Sequence, residues 1–331
     1  MQTPLNIGNL TIDPPLFCAP MAGITHSAFR RLMADFKGYG ALFTEMLSVR
    51  SLVHEKISVS PFTRRRENEG TVFYQLVCNG EEDFDAALGN LAAGSPDAVD
   101  LNCGCSAPEI TRWGGGAALF ADRKRLEKTL RKLRTLWKGP LSVKCRLGGN
   151  SPQWEKEFFA RIKIIENCGV DALFLHPRFT NEKLKRRARW EFFSKAASSI
   201  AIPVIANGDI MSPRIALERS DLFSDVKGIM IGRMAVVRPW IFAQKNLSPL
   251  SIDFHGVWTR FFDYVLEDFP PEKAGGKIKE FSTYFARNFM FGHELFRKIQ
   301  PAKSLEEMRS NASAFLKRGP ETCLSPTVMG I

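Results

Sequence analysis

The sequence predicts an α/β protein: a (β/α)8 TIM barrel over residues 1–243, followed by an all-helical domain over residues 253–325. Eight short apolar runs recur with amphipathic, helix-like segments between them. Continuous rather than alternating apolar runs mark strands buried on both faces, and eight such units close into a barrel. Each run ends in residues ill suited to a core. After Trp240 the rhythm stops and helical apolar spacing rich in phenylalanine takes over.

In chain order the strand-like runs are Leu16 to Pro20, Ala41 to Met46, Val72 to Val77, Ala98 to Asn102, Leu141 to Arg146, Ala172 to His176, Ile202 to Asn207 and Gly228 to Arg233. Their ends read Ala19-Pro20-Met21, Thr44-Glu45-Met46, Gln75, Asn102, Lys144 with Arg146, His176, Asn207-Gly208-Asp209 and Gly232-Arg233. In a barrel these carboxyl ends share one mouth, so eight polar ends in succession describe a lined pocket. Beyond Trp240, Asn246 to Ile252 reads as a linker. Val257 to Glu267, Lys277 to Met290 and Ser304 to Lys317 read as helices.

A chain of 331 residues, 44% hydrophobic, suffices for one large barrel with an appendage. The formal charge of +11 favours a polyanionic partner, because cations that neutralise phosphates gain from counterion release. The part after Trp240 carries twelve basic and ten acidic residues, so most of the excess lies in the barrel. It concentrates at Arg64-Arg65-Arg66, in the helix from Arg123 to Lys138, and in the run Lys183 to Arg189. The first residues lack the charged start and apolar run of a signal peptide, and no uncharged stretch reaches membrane-spanning length. With seven scattered cysteines, this reads as a reduced, cytoplasmic protein without a membrane partner; a monomer is expected.

The stretch Asp100 to Leu119 is where chemistry is expected. An apolar strand stops at a thiol-bearing loop that closes in Gly114-Gly115-Gly116 before a helix. Cys103 and Cys105 do not suggest a metal, since zinc needs four ligands and no second close pair follows. Alternation along an extended segment turns Cys103, the neighbour of Asn102, into the wall; Cys105, on the loop between Gly104 and Gly114-Gly115-Gly116, is the candidate reacting thiol.

Taken together, the strand ends resemble the tRNA-dihydrouridine synthase family, FMN-dependent reductases of uridine in RNA. The matching pieces are Ala19-Pro20-Met21-Ala22-Gly23, Gln75, Asn102-Cys103-Gly104-Cys105, Lys144-Cys145-Arg146, His176-Pro177-Arg178, Asn207-Gly208-Asp209-Ile210 and Gly232-Arg233, one per strand end over roughly residues 14 to 245. The resemblance implies an FMN-binding catalytic barrel, a helical domain that grips tRNA, FMN as cofactor and NADPH as its reductant.

Reduction of a uracil needs a hydride at C6 and a proton at C5. No side chain donates hydride, so a cofactor is required. The resemblance makes Cys105 the general acid, consistent with a thiol of ordinary pKa about 8.5 staying protonated at neutral pH. It puts Pro20, Met21 and Ala22 against the flavin, Gln75 on its pyrimidine edge and His176 nearby. Lys144 meets the negative charge that builds on the N1/O2 edge. Asn207, Gly208, Asp209, Gly232 and Arg233 form the phosphate site usual at the last two strands of a barrel, where Arg233 forks onto the dianion and Asp209 turns its charge away or uses only its backbone. On the RNA side, Asn102 orients the uracil or the Cys105 loop, and Glu45 anchors the ring or an RNA group, or serves the structure only. Arg178, Lys183, Lys185, Arg186 and Arg187, with Arg189, suit phosphate contacts at the same mouth. Trp190 stacks on a base or begins the next helix. The uridine must leave its stack to enter the pocket.

The chain departs from the family at Ser106, where proline is usual, at Glu109 near an expected lysine, and at His26, where aspartate is common. These positions bear on the substrate rather than the flavin. Two other readings remain: an FMN barrel acting on a small pyrimidine or enone, and a catalytically silent RNA-binding relative.

Overall fold

The computed structural model describes residues 3–182, 184, 186–243 and 252–328. A hairpin absent from the sequence reading comes first, with β1 (Leu5–Ile7) antiparallel to β2 (Leu10–Ile12). These three-residue strands are too short to show a periodicity. The barrel follows as β3 (Leu16–Cys18), β4 (Ala41–Phe43), β5 (Leu47–Ser48), β6 (Thr71–Val77), β7 (Ala98–Cys103), β8 (Leu141–Gly148), β9 (Ala172–Phe179), β10 (Val204–Asn207) and β11 (Gly228–Ile231). All these pairings are parallel, and β11 closes on β3 with Met230 opposite Phe17. The second barrel strand is split: β4 ends before Thr44-Glu45-Met46, and β5 resumes alongside β6. Each of the eight expected runs is a barrel strand, within a few residues at its ends.

Two cores result. The outer one lies between strands and helices. Arg123–Leu136 is representative: Leu126, Leu130 and Leu133 fall on one face and are buried, and the Asp122 carboxylate accepts the Arg125 N–H (3.0 Å) to cap its start. The inner core fills the lumen, where Phe43 stacks on Phe73 (4.8 Å) and Phe174 meets Phe17 and Phe43 edge-on. Leu5, Ile7 and Ile12 of the hairpin join this cluster. Two residues beyond Phe73, Ala98 and Phe174 stand Gln75, Asp100 and His176, which with Ser142 of β8 are buried polar groups.

The helical region holds Phe254–Asp268, Pro271–Phe285, His293–Ile299 and Leu305–Leu316. The second helix starts six residues before the sequence expectation, because Pro271 sits at its first turn and Gly275-Gly276 run through its interior. The seven-residue helix His293–Ile299 was not anticipated. Most of the expected linker lies outside the described residues. Asp268, deeply buried, fastens this region to the barrel: its carboxylate accepts from Ser27, Arg64, Arg66 (2.9 Å) and Arg31 (3.4 Å). Arg65 pairs with Asp97 (2.9 Å). The arginine triplet is therefore engaged in intramolecular ion pairs. Among the described residues no helix is long and apolar enough to cross a membrane.

Candidate active site

The carboxyl ends of the barrel strands frame two adjoining cavities of about 200 and 230 Å3 that share Pro20, Lys144, Arg146 and His176. The first is walled by Met21, Arg178, Asn207, Gly208, Asp209, Gly232 and Arg233; the second by Ala22, Gln75, Asn102 and Cys105. Residues from all eight strand ends, Met46 of the split second strand included, therefore meet at one mouth, as the parallel topology requires.

The Cys105 loop is held from both sides. Asn102 Oδ1 accepts from the N–H groups of Gly104 (3.1 Å) and Cys105 (2.9 Å), and Ala117 N–H donates to the Cys105 carbonyl (2.9 Å). Gly116 makes that return possible: its φ is +58°, and a Cβ there would lie 2.6 Å from the Cys105 carbonyl oxygen. Cys105 is half-buried and faces the second cavity. Cys103 is fully buried in the outer core, where desolvation pushes its thiol well up. Gln75 is tied on both sides of its amide, donating to Asp100 (2.7 Å) and accepting from Asn102 (2.9 Å).

Between the cavities the charge is strongly positive. Burial, then Arg146, lowers the Lys144 amine to about 8, with Asp100 opposing. His176 is held neutral: burial comes first, then the cations of Lys144, Arg146, Arg178 and Arg233. Arg178 donates to His176 Nε2 (2.8 Å), which makes Nε2 the acceptor and leaves Nδ1 to carry the proton.

At the far side, Asp209 (φ +53°) does not turn its charge away. Its carboxylate accepts from Arg178 (2.5 and 2.6 Å), the Ala188 N–H (2.8 Å) and Arg233 (3.4 Å). Arg233 also donates to the Val328 carbonyl (2.7 Å). Asn207 ties β10 to β11 through the Met230 carbonyl (2.9 Å). Gly208 has φ +108°, and a Cβ would sit 2.5 Å from His176 Cδ2, so only glycine fits.

Of the residues expected to face RNA, Asn102 lies in the second cavity and Arg178 is buried in the first, 2% exposed, rather than on an outer rim. Arg186 and Arg187 are exposed, Arg189 is forked onto Glu182 (2.7 Å twice), and Lys183 and Lys185 lie outside the described residues. Glu45 lines neither cavity. Its Oε2 accepts the Gly23 N–H (2.6 Å), and Lys277 of the helical region stands 4.0 Å away while donating to the Gly23 carbonyl (3.0 Å). Trp190 donates to the Gly208 carbonyl (2.9 Å) and packs on Phe223. Among the described residues no group of three or more His, Cys, Asp or Glu is placed to hold a metal.

Residues 17–267 match the family model described as dihydrouridine synthase (Dus). The chain belongs to the dihydrouridine synthase family. It is 32% identical over 242 residues to a probable tRNA-dihydrouridine synthase of Rickettsia conorii, spanning 72% of each chain. Against tRNA-dihydrouridine synthase B of Pasteurella multocida it is 31% identical over 242 residues, 72% of this chain and 70% of that one. A probable tRNA-dihydrouridine synthase of Mycobacterium tuberculosis aligns over 324 residues at 27% identity, 92% and 82% of the two chains. Among solved structures, an old yellow enzyme homologue from Zymomonas mobilis superposes with a TM-score of 0.57 at 13% identity, over 80% of this chain and 98% of that one, a likeness of fold. As a family member the protein is an oxidoreductase.

Two site residues escaped the sequence reading as individual members. Arg146 lines both cavities, and Asp100 underlies them. Strand alternation was the available signal: Asn102 implies that Asp100 also points inward, and Lys144 implies the same of Arg146.

Proposed function

We propose that this protein is a cytoplasmic enzyme that reduces uridine to 5,6-dihydrouridine in tRNA, with FMN as cofactor and NADPH as reductant. The observation that carries the reading is the convergence of Cys105, Lys144 and His176 on adjoining cavities at one barrel mouth. FMN suits the donor set, because one cavity offers Arg233 with the glycine-bearing ends of β10 and β11 for a phosphate, and Lys144, shared by both cavities, is a cation that would face the ring. When bound, the flavin supplies the hydride that no side chain can give.

The chain's own residues then have distinct tasks. Arg233 and the backbone at Gly208 and Gly232 would hold the phosphate. Lys144 would stabilise negative charge on the pyrimidine edge, and neutral His176 would offer its Nδ1–H. Gln75, which lines the second cavity, would face the pyrimidine edge. Asn102 fixes the Cys105 loop, so that the thiol holds the proton destined for C5 at the cavity wall. Arg186 and Arg187, exposed after β9, meet RNA phosphates, and the helical region grips the rest of the tRNA.

The test is nucleoside mass spectrometry of unmodified tRNA incubated with enzyme and NADPH. Dihydrouridine is expected, and Cys105→Ala is expected to keep its flavin while losing at least about a hundredfold in turnover, the scale of a lost general acid. Unchanged turnover in that variant would remove Cys105 from the role.

A further inference from the structure

The polar layer beneath the cavities contains a carboxylate with no part in the scheme above. Asp100 is fully buried in the lumen, one layer above the phenylalanines, with Gln75 opposite it on β6 and Ser142 on β8. Ser142 Oγ donates to Oδ1 (2.6 Å) and Gln75 Nε2 to Oδ2 (2.7 Å). Gln75 Oε1 in turn accepts from Asn102 Nδ2 (2.9 Å), whose Oδ1 accepts from Gly104 and Cys105.

A side-chain amide can turn end for end with little change of shape, exchanging donor for acceptor, so its neighbours fix its polarity. An ionised carboxylate only accepts. Burial raises the Asp100 carboxyl to about 6, with Ser142, Gln75 and Lys144 opposing, and both of its oxygens accept, one from Ser142 Oγ and one from Gln75 Nε2. Its presence obliges Gln75 to point Nε2 down and Oε1 at Asn102, and obliges Asn102 to point Oδ1 at the loop. Without it, a turned Gln75 would set its NH2 against that of Asn102. Asn102 could relieve the clash only by opposing its own NH2 to the N–H groups of Gly104 and Cys105.

We propose that Asp100 is a positioning residue, which acts through the amides of Gln75 and Asn102 to hold the reactive loop at Cys105. The consequence for turnover rests on the reading of Cys105 as proton donor; the consequence for the loop does not. Hydrogen exchange of the Gly104 and Cys105 amides in the full chain therefore separates the two. In Asp100→Ala these two amides are expected to exchange about tenfold faster, the protection that roughly one hydrogen bond supplies. Asp100→Asn is expected to restore most of the protection, because its Oδ1 still accepts from Gln75 and the Ser142 hydroxyl can rotate to accept from the new NH2. If Asp100→Ala does not fold, Gln75→Met interrupts the same chain and is expected to give the same acceleration. With tRNA, kcat should fall while KM holds. Unchanged exchange at Gly104 and Cys105, or acceleration spread evenly over β7 and β8, would overturn the proposal, whereas faster loop exchange with unchanged kcat would leave it standing and count against Cys105 as the donor.

Discussion

Asp268→Ala tests how the helical region is fastened to the barrel. The carboxylate is deeply buried and accepts from Ser27 and three arginines, so its removal strands several donors at once. Breaking a buried pair from one side costs about 3–5 kcal/mol. Here the arginine side chains are 14%, 20% and 36% exposed, so water can reach them in part. The lower end applies, about 3 kcal/mol. With an unfolding entropy of roughly 2.1 cal/mol/K per residue over 331 residues, Tm should fall by about 4 °C if the chain unfolds as one unit. Calorimetry on the wild type, Asp268→Ala and Asp268→Asn measures this, and the asparagine, which keeps one acceptor, should lie between the other two. A fall below about 1 °C for alanine would mean that the arginines find other partners, and the interface described here would not depend on Asp268.

Two further substitutions probe the cavities. Gly208→Ala places a Cβ 2.5 Å from His176 at a backbone angle of φ +108°, so it should cost about 1–3 kcal/mol in strain and lower the flavin recovered per protein, read from visible absorbance. For Lys144, depressed to about 8, an anion held against it requires the protonated amine. The protonated fraction falls from about 0.9 at pH 7 to about 0.1 at pH 9, so affinity for reduced FMN should weaken roughly tenfold across that range, and Lys144→Met should flatten the dependence.

Much of the barrel was legible because parallel strands covered on both faces read as unbroken apolar runs, and because their polar ends recur in order. The N-terminal hairpin was not, since Leu5, Ile7 and Ile12 gain their meaning only from the open lumen they enter. Long-range charge pairing was also hidden. Arg64-Arg65-Arg66 looks like a surface for phosphates until Asp268, some two hundred positions later, folds against it. Arg178 follows the same logic: beside a basic run it suggests RNA, yet Asp209 and His176 draw it inside. For the candidate site, strand-end residues were visible one by one, whereas the hydrogen-bond chain from Asp100 to Cys105 depends on strand register, which alternation alone does not specify.

The most direct test of the proposed activity is anaerobic. The purified protein's flavin is reduced with NADPH, and its absorbance is followed after addition of unmodified tRNA. Rapid reoxidation by tRNA, with none by free uridine or orotate, is the expected result. A flavin that reduces but ignores tRNA while responding to small pyrimidines would contradict it, as would a protein that holds no flavin.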